Sequence, residues 1–189
     1  NVGWSYTAFT DNAYLTDYKF TDATSTENQF QTGTLNIKLA DDNEGAADDV
    51  SASISFSNMA PGDSVVKPIT VSNPGSLGLR YALTSSSTNA DGKDLKGQIV
   101  LKVVQVAGTG SCSASAFSGS PAYLYNGALG AAAFGDVTTG AQTGDRAVAA
   151  SASEVLCLQA SLPIATGNAF QGAATTATFT FTAEQTANN

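Results

Sequence analysis

At 189 residues the chain suits one domain, long enough to bury a proper core. Only 13% of its residues are charged, and 16 Asp and Glu stand against 8 Lys and Arg, so a phosphate backbone would meet repulsion and nucleic acid is excluded as a partner. Histidine is absent, which removes Ser-His-Asp and Cys-His catalysis and the HExxH zinc site, because imidazole supplies both the mid-range pKa and the neutral nitrogen ligand.

The first residue is Asn1, with no basic and apolar leader behind it, so the sequence reads as a mature form from which a secretory signal has gone. No apolar run is long enough to span a bilayer. In the first nine residues Val2, Trp4, Tyr6 and Ala8 alternate with Gly3, Ser5 and Thr7, and Phe9 follows. A free terminus is ordinarily polar and frayed, yet this one carries the only tryptophan of the chain on the apolar face of an expected strand. Burying that face favours one of two homes: the chain's own sheet, or an acceptor groove on a neighbouring subunit, where backbone pairing gives affinity and alternate side chains fill pockets.

Further along, period-2 alternation recurs. Leu35, Ile37 and Leu39 point one way, Ala52, Ile54 and Phe56 repeat the pattern, and Leu79, Tyr81 and Leu83 do so again. Between the first two lies an acidic run, Asp41, Asp42, Asn43, Glu44, Asp48 and Asp49, which lacks apolar periodicity and reads as a solvated loop. Its hard oxygen ligands make calcium the alternative reading, although the spacing does not fit an EF-hand. Pro61-Gly62 and Pro74-Gly75 match the centre of a type II turn, proline presetting φ and glycine accepting a positive one, so both predict tight connections.

Ile99, Leu101 and Val103 continue the alternation, with Val104 and Val106 on the opposite face, which predicts a strand buried on both sides or crossing a bulge. Residues 85–96 and 108–122 read as irregular decoration, and 128–134 as a turn or two of helix weakened by Gly130. Leu156, Leu158 and Ala160 form a late strand that puts Cys157 on its other face. Cys112 and Cys157, the only cysteines, lack zinc-site spacing, and a disulfide between them is the simplest reading, two separately buried thiols the other. So many strands with so little helix predict an all-β chain of two packed antiparallel sheets.

The stretches Phe30-Gln31-Thr32-Gly33-Thr34-Leu35, Phe56-Ser57-Asn58-Met59-Ala60-Pro61-Gly62-Asp63 and Ile69-Thr70-Val71-Ser72-Asn73 with Gly75-Ser76-Leu77 resemble the TasA/camelysin family of secreted bacterial proteins. The resemblance resumes at Gly167-Asn168-Ala169-Phe170-Gln171-Gly172 and at Thr178-Phe179-Thr180-Phe181-Thr182-Ala183, similar to the family's last core strand. It implies a jelly-roll β-sandwich with an extended N-terminal strand, and a homopolymer: a subunit of an extracellular filament, cell-surface fibre or biofilm matrix, joined head to tail by donor-strand complementation. Residues 1–20 would then be donor strand and linker, and 21–189 the single sandwich domain. Relatives place an aromatic-Ser/Thr-Asp element shortly before Phe-x-x-Gly-Thr-Leu; here Phe9-Thr10-Asp11 and Phe20-Thr21-Asp22 both qualify. If the second is the counterpart, residues 1–17 are free to be donated, and if the first, residues 12–19 are an insertion.

Camelysin-like proteins are also described as metallopeptidases, an activity that the missing histidines argue against carrying over. No carboxylate pair stands out as acid and base of a glycosidase, and no cofactor, metal ligand or catalytic residue is assigned. The expected interface residues are Val2, Trp4, Tyr6, Ala8 and Phe9. The rival reading is a monomeric or surface-anchored sandwich module that binds a carbohydrate or protein partner.

Overall fold

A computed structural model describes residues 37–40 and 59–186. The expected strand at Ala52, Ile54 and Phe56, the acidic run from Asp41 to Asp49 and the whole N-terminal segment lie outside the described residues.

Strands β1 (Lys38–Ala40), β2 (Ser64–Asn73), β4 (Val100–Val106), β5 (Tyr125–Ala128) and β8 (Ala152–Ser161) form one antiparallel sheet in the order β1-β2-β8-β4-β5. In the second sheet β3 (Leu79–Ser87) is central. β9 (Ala177–Gln185) pairs along its full length on one side, and β7 (Arg146–Val148) and β6 (Ala133–Phe134) share its other edge. The two sheets pack as a sandwich around one principal core.

Alternation places that core. Ile69 pairs with Leu156, and Leu101 and Val103 with Ala160 and Leu158, so these side chains share the inward face of the larger sheet, none more than 2% exposed. From the other sheet come Leu79, Tyr81 and Leu83 of β3 and Phe179 and Phe181 of β9. The Tyr81 ring meets Phe134 edge-on and Phe181 at a tilt, with centroids 6.1 and 5.8 Å away. β4 is buried on both faces, as its sequence suggested, and its pairing with β8 runs unbroken from Val100 to Val106, so no bulge is needed.

The two proline-glycine turns part company. Gly62 has φ +100°, and the Asp63 N–H donates to Ala60 O at 2.9 Å, the arrangement expected of a type II turn. Gly75 has no positive φ, and the second connection is built differently. Asn73, wholly buried, holds it: the Gly75 N–H donates to Asn73 Oδ1 at 3.0 Å, and the side-chain amide reaches Leu77 O at 2.8 Å and Val148 O and Ala149 O at 3.1 Å. An Asx turn thus replaces the expected glycine turn, and the same amide ties the crossing from β2 to β3 to the corner after β7. Asn73→Ala strands buried carbonyls without donors and should lower unfolding stability by about 2–4 kcal/mol in urea titration. A loss below about 0.5 kcal/mol, the level of an ordinary surface change, would refute this role.

Two smaller expectations shift. β3 runs to Ser87, so the irregular segment begins later than residue 85. The expected helix at 128–134 is a single 3₁₀ turn, Leu129–Ala131, followed by β6.

Candidate functional site

The two cysteines are joined: Cys112 and Cys157 form a disulfide that closes a separation of 45 residues. In the entropy account such a loop constrains the unfolded chain by about 4 kcal/mol, and the bridge is consistent with an oxidising, extracellular location. The other expected site residues, Val2, Trp4, Tyr6, Ala8 and Phe9, lie outside the described residues.

A cleft of about 780 Å³ opens at one end of the sandwich, between the turn leading into β2, the short helix α1 (Leu95–Gln98) and the loop 163–175 that feeds β9. Met59, Leu95, Ile99, Leu162 and Phe170 give it one apolar part, Thr166, Asn168, Gln171 and Thr175 a polar one, and no charged residue lines it. The Thr166 hydroxyl, on its wall, is buried without a hydrogen-bond partner. Its outer walls are braced by loop-to-loop bonds. Lys93 Nζ donates to Gln171 O at 2.7 Å, and the Ala174 N–H to Asp91 at 2.8 Å. The Lys93 and Ala174 amides hold the Asp91 carboxyl below its ordinary pKa.

A second constellation was not singled out in the sequence. Glu154 stands in the inward-facing row of β8 with Leu156, Leu158 and Ala160, 8% exposed, in a core that favours apolar side chains. Two partners compensate it: the Tyr81 hydroxyl donates to Oε1 at 2.5 Å and the Arg146 guanidinium donates to Oε2, while Arg146 also donates to Gln105 Oε1 at 2.6 Å. Tyr81 and Arg146 belong to one sheet, Glu154 and Gln105 to the other, so the cluster pins the sandwich across its core. Burial, reinforced by the bond to Glu154, drives the Tyr81 pKa far above the ordinary tyrosine value; the bond to Glu154 raises that of Arg146.

A profile of the camelysin metallo-endopeptidase family matches residues 13–118, more than half of the chain. The chain belongs to the camelysin family. The match takes in the first three of the motifs read from the sequence and ends before the C-terminal ones. No curated protein matches the chain.

The family's name implies a catalytic metal, normally held by imidazole and carboxylate. This camelysin-family chain has no histidine to offer, both of its thiols are consumed in the disulfide, and among the described residues no three Cys, Asp or Glu side chains are grouped to hold an ion. The donor set therefore does not fit a zinc peptidase centre. In the Tyr81–Glu154–Arg146 cluster every member is hydrogen-bonded to another, which marks it as a structural brace rather than a poised acid or base. Among the described residues, no helix is long and apolar enough to cross a membrane.

Proposed function

We propose that this chain is a structural subunit of an extracellular filament, in which residues 1–9 of one copy complete the sheet of the next. The observation that carries the reading is the alternation of Val2, Trp4, Tyr6 and Ala8 ahead of Phe9 in a chain of the camelysin family. Burying Val2, Trp4, Tyr6 and Phe9 contributes on the order of 6–10 kcal/mol before ordering costs, enough with backbone pairing to hold neighbouring copies together.

The cleft beside β9 has the character such a segment requires. It is uncharged, lined by both apolar and polar groups, and roomy enough for several side chains. A contact between two different surfaces of the same protein does not close on itself, so it grows open chains. In this reading residues 1–20 are donor strand and linker, residues 21–189 a jelly-roll domain, and the polymer lies at the cell surface or in the biofilm matrix. It performs no peptide hydrolysis.

The test is a negative-stain micrograph of the purified full-length protein together with a casein assay. Filaments of variable length, and casein left intact with or without added zinc, are the expected result. A protein monomeric at every concentration, or casein cleavage abolished by changing a single Asp or Glu, would overturn it.

A further inference from the structure

Between the end of β4 and the start of β5, residues 107–124 cross the outer face of the five-stranded sheet. Alternation directs this face away from the core, so it would ordinarily be wet and polar. Here it carries an apolar strip. Val104 and Cys157 lie side by side on β4 and β8, 2% and 0% exposed, with Val66 of β2 and Val106 packed against the same cluster.

What covers the strip is the 107–124 excursion, through Cys112, Ala116, Phe117 and Tyr123. The excursion contains no strand, and its backbone bonds close short turns within itself: Ser111 N–H to Gly108 O, Cys112 N–H to Thr109 O, Ala116 N–H to Ser113 O. Tyr123 likewise donates to Phe117 O, inside the excursion. The backbone rejoins the sheet at Leu124, whose N–H donates to Val103 O at 2.8 Å. Between those ends the fastening among the described residues is the packing of a few side chains, the Lys102 ammonium 5.7 Å from the Tyr123 ring centre, and one covalent bond, Cys112–Cys157.

We propose that residues 107–124 form a redox-released flap: reduction of Cys112–Cys157 frees it from a sandwich that stays folded and uncovers the strip of Val66, Val104 and Val106. The reductant is a dithiol of the thioredoxin class. One of its thiolates attacks Sγ of Cys112, the half-buried residue of the pair where Cys157 is fully buried, and Cys157 leaves as a thiolate that takes up a proton. The reductant's second thiol then attacks the mixed disulfide. The reductant ends as a disulfide, and the protein gains two electrons and two thiols.

Separation of the flap from the rest of the fold follows from where the bonds lie. The β2–β8 and β8–β4 ladders are continuous beneath it and owe nothing to its backbone, so local opening need not carry the sheet with it.

Hydrogen exchange read by mass spectrometry on the full-length protein, oxidised and after dithiothreitol, tests this. Peptides covering 107–124 should exchange about tenfold faster or more once reduced and lose their protection first, while those of β2, β3 and β8, although the global stability falls with the bridge, stay protected over the same exchange times. Binding of an apolar dye should rise in parallel. The double variant Cys112→Ala, Cys157→Ala should reproduce this pattern with no reductant present. Unchanged protection of 107–124 in both the reduced protein and the variant would mean that packing alone holds the excursion, and would overturn the flap. Loss of protection in every strand together would overturn it equally, because the bridge would then be a global staple.

Discussion

Glu154→Ala will destabilise the sandwich by about 2–3 kcal/mol, as expected when the acceptor of charge-assisted hydrogen bonds is removed from a partly buried ion pair. The Arg146 guanidinium, 22% exposed, would keep only the Gln105 amide, and the Tyr81 hydroxyl would lose its acceptor within the core. Tyr81→Phe removes one hydrogen bond and no charge, so its loss should be nearer 1 kcal/mol. Denaturant unfolding of the two variants separates these outcomes, and equal losses would show that Arg146 does not depend on Glu154.

Tyr81 also gives a pH signature. Its folded pKa is raised above the ordinary value of 10.0, so stability from this group is complete below pH 10. Above that pH the unfolded chain releases a proton that the folded chain retains, and stability falls by about 1.4 kcal/mol per pH unit. Tyr81→Phe should lose that part of the alkaline slope. A variant whose stability falls with pH as steeply as the wild type would place the raised pKa elsewhere.

The elements legible in the sequence are those in which one face of a strand meets the core. Leu79, Tyr81 and Leu83, then Leu101 and Val103, then Leu156, Leu158 and Ala160 announce β3, β4 and β8, because burial on one face enforces a period of two. Cys112–Cys157 was legible from count and context alone.

What was missed turns on polar groups whose partners lie far along the chain. Asn73 overrides the neighbouring Pro74-Gly75 through carbonyls at Val148 and Ala149, which no local turn rule includes. Glu154 had a signal that went unused: it falls in phase with three buried apolar residues, a position where a carboxylate demands a cation. Arg146, on a strand of only three residues, offers no periodicity from which to choose it. The end cleft escaped for the same reason, since Met59, Leu95, Leu162 and Phe170 meet only once both sheets are formed.

Deleting residues 1–9 should abolish filament growth and leave a soluble monomer with an unfolding midpoint close to that of the full-length protein. Under the proposed strand donation, Trp4 and Tyr6, the two largest side chains of the alternating face, would be anchors on the neighbouring copy, so their removal would empty pockets between subunits and leave the sandwich itself intact. Trp4→Ala alone removes the largest anchor. At about 2 kcal/mol or more for such a hot spot, it should raise the concentration needed for assembly by roughly thirtyfold.

A synthetic peptide of residues 1–9 should bind the truncated protein and, added to the full-length protein, cap filament growth by occupying the acceptor. An intrachain first strand predicts the opposite set of results. Truncation would then lower the stability of the monomer by several kcal/mol, the peptide would restore it, and wild type and truncation would sediment alike. Sedimentation velocity and thermal unfolding of both proteins at one salt concentration decide the matter: strand donation requires that the polymer disappear while the midpoint stays.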